Sequence, residues 1–89
     1  MLIPVYKNKF GKDIKRLKKR GKDLTKLKSV IDQLIAARML AEKYRNHPLK
    51  GEYIDCYECH VEPDWLLVYM VSNPHIIFVR TGTHSDLFK

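Results

Sequence analysis

Apolar and polar positions alternate with two different periods along the chain. Between residues 10 and 35 the apolar residues recur every three or four positions, and after residue 53 they form short, nearly continuous runs. The first region predicts two amphipathic helices, with Gly21 ending the first and Asp23 capping the second. The predicted core-facing positions are Phe10, Ile14 and Leu17 in the first helix and Leu24, Leu27, Ile31, Leu34 and Ile35 in the second.

The apolar runs of the second half predict three strands, over 53–61, 65–71 and 76–81. Short turns containing Pro63 and Pro74 separate them, and connections this short require antiparallel hairpins. The middle run is typical of a central strand covered on both faces, with Trp65 in the core. Residues 2–6 predict one more strand, which Pro4 restricts to a sheet edge.

The order of these elements indicates an α+β fold. It comprises an N-terminal edge strand, a helical hairpin and a three-stranded antiparallel meander, with the helices on one face of a largely antiparallel sheet. A capping-box pattern in Thr83-His84-Ser85-Asp86 adds one helical turn. A chain of 89 residues is long enough for one hydrophobic core, so we expect residues 1–89 to form a single domain.

The distribution of charge along the chain indicates a binding partner. The net charge is +7, and residues 7–28 contain eleven Lys or Arg but only two Asp, whereas the remainder carries a small negative excess. Such segregation indicates a polyanionic partner, which could be nucleic acid, an anionic membrane or an acidic protein. The alternative is a solvated helix face. The candidate residues for this contact, on the polar face of the first helix, are Lys12, Lys15, Arg16 and Lys19.

The sequence favours a cytoplasmic protein with no membrane partner. No apolar run approaches the roughly 18 residues of a membrane span, and the first ten residues lack the apolar stretch of a signal peptide. Cys56-Tyr57-Glu58-Cys59-His60 matches the C-x-x-C-H pattern of haem attachment. Residues three apart on a strand point to opposite faces, which argues against haem and against zinc. We therefore interpret the cysteines as free, apolar packing residues and expect no metal or cofactor.

Several histidines lie at the ends of predicted elements, where catalytic groups are commonly held. His60 and Asp64 flank a turn and can approach each other, His47 lies in a loop, and His84 begins the last turn. Each taken singly is most simply a surface residue, but their number and placement favour function. His75, at a hairpin tip, is interpreted as non-functional.

Two further residues have both a structural and a functional interpretation. Arg80, in an otherwise apolar strand, is either an ion-pair partner or a clamp for phosphate. Phe88 either plugs the core or offers a platform for a base. His, Asp and Arg without a metal set suit RNA cleavage. One group takes the 2′-OH proton, another protonates the leaving 5′ oxygen, and a cation stabilises the phosphate.

Three segments closely resemble the YafQ branch of the RelE/ParE toxin superfamily, in that family's order: HPLKG at 47–51, HVEPDWLLVY at 60–69 and RTGTHSDLF at 80–88. The resemblance implies a RelE-like compact domain. It also implies a bacterial type II toxin that cleaves mRNA as a metal-independent endoribonuclease, usually on translating ribosomes, and inhibits translation. Carried over position by position, the family's functional set falls on His47, His60, Asp64, Arg80, His84 and Phe88.

The resemblance also implies roles for these residues. His84 is expected as the general acid, with His60 and Asp64 supplying or orienting the base. The remaining expectations are phosphate neutralisation by Arg80, backbone contact or help in proton transfer by His47, and orientation of a base by Phe88. Many relatives carry an Arg where this chain has Tyr57, so the protein would rely on Arg80 and lysines instead, or cleave more slowly.

The implied partners are mRNA, the ribosome and a cognate acidic antitoxin. Such antitoxins have a ribbon-helix-helix portion that binds DNA, so the toxin would reach operator DNA only through its antitoxin. The alternative function is a non-catalytic basic module of the same superfamily, either a gyrase-type inhibitor or a degenerate toxin that retains only antitoxin binding. The histidine-rich set favours the nuclease, because a gyrase inhibitor does not need it.

Overall fold

A computed structural model describes residues 1–88, in which five strands form one sheet in the order β1-β5-β4-β3-β2. Short 3₁₀ turns at Glu42–Tyr44 and Gly51–Tyr53 flank β2. The elements are β1 (Ile3–Tyr6), α1 (Asn8–Lys19), α2 (Leu24–Ile35), β2 (His47–Pro48), β3 (Tyr57–Glu62), β4 (Trp65–Ser72), β5 (His75–Gly82) and α3 (His84–Leu87). Within residues 1–88 no helix is long and apolar enough to cross a membrane.

The predicted helical hairpin is confirmed, and its turn forms as the sequence indicates. Gly21 adopts a left-handed conformation (φ +79°) just after α1, and the N–H of Lys22 donates to the carbonyl of Leu17 (3.1 Å). These are the features of a glycine-terminated helix end. The Asp23 carboxylate accepts from the Thr25 N–H (3.0 Å) and so caps α2.

Both helices pack against one face of the sheet, over a core that includes Leu67 and Phe78. The predicted apolar stripes point into this core. Phe10, Leu17, Leu27, Ile31 and Leu34 are buried, and Ile14, Leu24 and Ile35 pack against it partly buried. Trp65 is buried here as predicted, and its indole N–H donates to the Thr81 hydroxyl (3.0 Å).

A second, smaller cluster covers the opposite face of the sheet. It contains Leu66 and Val68 of β4, with Cys56 and Leu87 packed beside them. Strand β4 is therefore central and covered on both faces, as its composition predicts. The expectation that the helices share one face holds for α1 and α2 but not for α3, which covers the other face because Leu87 packs on the second cluster.

The sheet differs from the predicted one in three respects. The edge strand β1 runs parallel to β5, and the two-residue strand β2 adds a second edge beside β3. The first strand of the meander begins at Tyr57 and not at residue 53. The segment before it turns instead, because Asp55 takes a left-handed conformation (φ +72°) and the Cys56 N–H donates to the Tyr53 carbonyl. This turn allows His47 to pair across from Glu58.

Candidate active site

Three separate elements bring His47, His60 and His84 into one cluster. The ring of His60 lies between the other two, with centroids 6.3 Å from His47 and 6.0 Å from His84. The ring of Phe88 follows at 6.2 Å from His84. Strand β2, strand β3 and helix α3 carry the three histidines, so the cluster exists only once the sheet and α3 are assembled.

Asp64 binds His84 and not His60, so the predicted approach of His60 to Asp64 is wrong. The Asp64 carboxylate lies 2.9 Å from Nδ1 of His84 and accepts from the His84 backbone N–H at 3.1 Å. These hydrogen bonds hold the pKa of Asp64 below its usual range. An ionised carboxylate only accepts hydrogen bonds, so Nδ1 of His84 must donate. Nε2 of His84 is thereby left to exchange a proton.

Glu58 links the other two imidazoles and is the site residue that the sequence analysis missed. It is buried, and its Oε2 lies 3.0 Å from Nε2 of His47 and 3.6 Å from Nε2 of His60. Nδ1 of His47 faces the Arg45 carbonyl (2.7 Å), and Nδ1 of His60 faces the Pro63 carbonyl (3.2 Å). Both nitrogens of His47 therefore face hydrogen-bond acceptors, which hold the orientation of the ring.

Arg80 is an ion-pair partner, which is one of its two predicted roles. Its Nε and Nη2 donate to the two carboxylate oxygens of Asp13, at 2.7 and 3.1 Å. The Asp13 hydrogen bond raises the pKa of Arg80. A β-bulge at Val79 shifts the pairing with β4 just before Arg80. Two of the five guanidinium N–H donors are committed to Asp13, so a phosphate would be held by the other three.

The predicted basic face of α1 is altered at one position. Lys12, Lys15 and Lys19 are exposed, but Arg16 turns toward the fold and donates to Asp13 at 2.7 Å. Arg16 also lies 3.7 Å from Asp86. Its position next to a buried carboxylate makes it part of an internal ion-pair network. The lysines alone form the exposed cationic face of α1.

Comparison with known proteins identifies the family. Residues 3–89 match the family described as bacterial toxin of type II toxin-antitoxin system, YafQ. The chain belongs to the YafQ toxin family. The mRNA interferase toxin YafQ of Escherichia coli K12 is 42% identical over 84 residues, which are 93% of this chain and 91% of the relative. The putative toxin YafQ of Haemophilus influenzae is 31% identical over 88 residues, 91% of this chain and 86% of the relative.

Solved structures of the YafQ family have the same fold. The crystal structure of YafQ from E. coli BL21(DE3) superimposes with a TM-score of 0.95 at 38% identity and covers all of both chains. The E. coli DinJ-YafQ complex gives 0.92 at 39% identity, again over both whole chains. A metal-bound toxin from Helicobacter pylori gives 0.92 at 46% identity, over 99% of this chain and 100% of that one.

Two of the remaining candidate positions depart from the YafQ pattern or from expectation. Tyr57 stacks on Tyr69, whose ring belongs to the helix-side core, so Tyr57 projects from the face of β3 opposite His60. An Arg placed there would start from the wrong face to join the cluster. Phe88 is 41% exposed and meets Tyr53 edge-on at 5.6 Å, so the interpretation as a core plug is wrong.

The cysteines and His75 lie outside the cluster. Cys56 and Cys59 are free and buried, and they pack on opposite faces of the sheet as the strand geometry predicts. Burial raises the pKa of the Cys59 thiol to about 12, which suits an inert packing residue. Across residues 1–88 no three His, Cys, Asp or Glu side chains are arranged so that they could hold a metal ion.

Proposed function

We propose that this protein is an mRNA interferase that cleaves mRNA on the ribosome by metal-independent general acid–base chemistry. One observation carries the proposal. The His84–Asp64 pair leaves one nitrogen of His84 to exchange a proton, and the ring of His60 lies 6.0 Å from the His84 ring. Two imidazoles at this separation can act on one phosphodiester, one on the attacking 2′-OH and the other on the leaving 5′ oxygen. The mRNA interferase activity named for its E. coli relatives supports the same chemistry.

In the proposed reaction, His60 takes the proton from the ribose 2′-OH, and the 2′ oxygen attacks the adjacent phosphorus. His84 gives a proton from Nε2 to the departing 5′ oxygen. The products are a 2′,3′-cyclic phosphate and a 5′-OH end. Asp64 acts through His84 as a positioning residue, since it fixes the ring through Nδ1. This replaces the earlier expectation that Asp64 serves the base.

The other residues serve the phosphate and the bases. Arg80 neutralises the crowded phosphate with the donors that Asp13 does not use. His47, held between Glu58 and the Arg45 carbonyl, contacts the RNA backbone or assists proton transfer. Phe88, half-exposed beside His84, stacks on a base. Lys12, Lys15 and Lys19 bind ribosomal RNA.

The proposal extends to partners and location. The E. coli relative forms a complex with DinJ, and this chain carries an excess of positive charge. We propose that an acidic cognate antitoxin of the ribbon-helix-helix type binds this protein and links it to operator DNA. Messenger RNA and ribosomes place its action in the cytoplasm.

The direct test is cleavage of a defined mRNA on purified ribosomes, with 5′ ends mapped by primer extension. His84→Ala should lose about 10²- to 10⁴-fold in rate, because a general acid contributes that much. His75→Ala is the matched control, since this exposed histidine begins β5 away from the cluster, and it should cleave at the wild-type rate. A His84→Ala protein that cleaves as fast as wild type would refute the proposal.

The second candidate function is a non-catalytic basic module, which the exposed lysines of α1 favour. It predicts that wild-type protein binds RNA or ribosomes, leaves every phosphodiester intact and arrests growth equally well as His84→Ala. Cyclic phosphate ends produced by wild-type protein and absent with His84→Ala would exclude it.

A further inference from the structure

A groove of about 730 Å³ lies next to the histidine cluster. One wall is the first half of α2, the opposite wall is the 3₁₀ turn at Glu42–Tyr44 with Arg45, and the floor is the end of the β3–β4 hairpin. His60 lines the groove, and its ring belongs to the cluster, so the two sites meet at this residue. A strand that runs from the cluster past the His60 edge of β3 would reach this groove.

The groove is cationic. Lys26, Lys43 and Arg45 line it, and Glu62 is the one carboxylate among its described lining residues. Lys22 and Lys26 bind the two oxygens of Glu62 at 3.1 and 2.7 Å, and these hydrogen bonds lower the pKa of Glu62. The charge of Glu62 is thus already matched by lysines. Lys43 and Arg45 remain on the opposite wall, with Lys43 over the ring of Tyr44 (5.1 Å).

Arg45 holds an unusual backbone conformation that serves both sites. Its φ and ψ are both +47°, in the left-handed region that glycine adopts readily and other residues adopt at a cost in strain. The carbonyl of Arg45 faces Nδ1 of His47 at 2.7 Å, and Arg45 also lines the groove. An arginine therefore occupies a position where glycine would adopt the same backbone conformation with less strain.

We propose that this groove binds the backbone of single-stranded RNA beside the scissile phosphate, with Lys43 and Arg45 pairing with one flanking phosphate. The inference rests on the proposed nuclease function, because a strand held at the histidines must continue past His60 to one side. Its two cations act as backbone contacts, which position the strand without reading its sequence. Thr25 and Ser29 add hydroxyl donors on the α2 wall.

The test compares Arg45→Gly with Ala37→Gly. Ala37 also has a left-handed backbone (φ +58°) but does not line this groove, so both changes relieve strain and only the first removes a cation. The probe is a ten-nucleotide RNA with 2′-O-methyl groups throughout, which cannot be cleaved, and affinity is measured by fluorescence anisotropy over a range of salt. Lys43→Ala is the second groove variant.

We expect Arg45→Gly and Lys43→Ala each to bind the RNA about fivefold more weakly at low salt. Each should also reduce the magnitude of the slope of log affinity against log salt by about 0.7, the value for one lost phosphate contact on a single strand. Arg45→Gly should keep or gain thermal stability, and Ala37→Gly should gain stability with unchanged affinity and slope. Neutral methylphosphonate at the flanking position should abolish the difference between wild type and Arg45→Gly.

Unchanged RNA affinity in both groove variants would overturn the groove assignment. The assignment would also be overturned if the groove variants bound RNA normally but bound an acidic peptide such as polyglutamate more weakly. That result would indicate that the groove binds a protein partner. These results are distinct from failure of the nuclease proposal. Suppose that wild-type protein does not cleave mRNA, but the groove variants show the stated losses of RNA affinity and of salt dependence. The groove would then still be assigned to RNA binding, and only the cleavage mechanism would be refuted.

Discussion

At the level of single residues, the site depends on which carboxylate serves which imidazole. Asp64 binds Nδ1 of His84, and Glu58 lies between the Nε2 atoms of His47 and His60. The two carboxylates differ in environment, because Asp64 is exposed and Glu58 is buried. The exposed Asp64 leaves His84 accessible to RNA, whereas the buried Glu58 lies between the rings of His47 and His60.

Asp64→Asn tests the positioning role of Asp64. The amide keeps the size of the side chain but loses the charge that fixes His84 through Nδ1. We expect kcat to fall by about 10²-fold or more with little change in KM, since proton transfer and not RNA binding is impaired. Asp64→Glu should recover part of the rate. An Asn variant that raises KM alone would instead assign Asp64 to substrate binding.

The sequence predicts the membership of the histidine cluster better than its pairing. His47, His60 and His84 do come together, because each lies at an element end that the fold brings to one place. The partner of Asp64 was misjudged, since nearness along the chain favours His60 whereas α3 carries His84 to it in space. Glu58 was hidden inside the C-x-x-C-H pattern. Its place two residues before His60, on the same strand face, is the signal that could have revealed it.

At the level of elements, Asp13 fastens α1 to the end of β5. The pairing of β1 with β5 stops at Tyr6 and Phe78, so the N–H of Thr81 has no strand partner on that side. Asp13, which is 1% exposed, accepts from this N–H at 3.1 Å and binds Arg80 and Arg16 as well. A single carboxylate on the helix thus completes the sheet edge and orients Arg80.

Removing this carboxylate should be costly. Asp13→Ala leaves Arg80 without its partner and buries an unpaired N–H, so we expect about 3–5 kcal/mol less free energy of unfolding. Urea denaturation followed by circular dichroism measures this. Asp32→Ala is the control, because Asp32 forms only an exposed pair with Lys28 and should cost no more than about 0.5 kcal/mol. Equal effects of the two changes would remove Asp13 from this role.

Asp86 makes the stability of the fold around α3 depend on pH. Hydrogen bonds from Arg20 hold the pKa of Asp86 far below its usual range, and the Thr83 N–H adds to the effect within the capping box. A carboxyl with a lowered pKa stabilises the fold fully above its unfolded pKa of about 3.9 and loses this effect as the pH falls below it.

Asp86→Asn should therefore lower the Tm by about 4–8 °C at pH 7, for a loss of about 1 kcal/mol. The difference from wild type should shrink progressively as the pH is lowered from 4 to 2, because Asp86 then takes up a proton in the unfolded chain while the folded carboxyl stays ionised. Thermal melts at a series of pH values measure both quantities. A difference that does not change with pH would show that Asp86 acts through shape alone.

Local pattern predicts most of the elements but not all of the sheet. The spacing of apolar residues predicts both long helices, Gly21 predicts the end of the first, and Asp23 predicts the cap of the second. Strand β2 has only two residues, too few to show an alternation of apolar and polar positions. Its pairing with β3 depends on the turn at Asp55. The direction of β1 beside β5 follows from long-range packing, which neighbouring residues do not encode.

At the level of the whole molecule, the lysine face of α1 and the histidine cluster occupy different parts of one fold. The exposed lysines lie on α1, while the histidines lie on β2, β3 and α3. Arg16 and Arg20 connect the two parts, because Asp86 binds Arg20 directly and lies 3.7 Å from Arg16. The basic residues that the sequence places on one helix face are thus divided between an exposed cationic surface and an internal ion-pair network.

The exposed lysines should govern affinity for ribosomes and not the chemical step. Replacing Lys12, Lys15 and Lys19 together with Ala should weaken ribosome binding at low salt and flatten its salt dependence, while the cleavage rate at saturating ribosomes stays near that of wild type. Sedimentation and single-turnover cleavage measure the two quantities. Lys28→Ala is the control, since Lys28 already pairs with Asp32. Salt-independent ribosome affinity of the wild type would contradict this assignment.

The parallel pairing of β1 with β5 also bears on when the protein becomes active during its own synthesis. Ile3 pairs with His75, so β1 stays without its partner until β5 has also left the ribosome. Contacts so distant in sequence form slowly, because a long loop must close first. His84 follows β5 in the chain, so the partner of β1 has already been synthesised before the three histidines can come together.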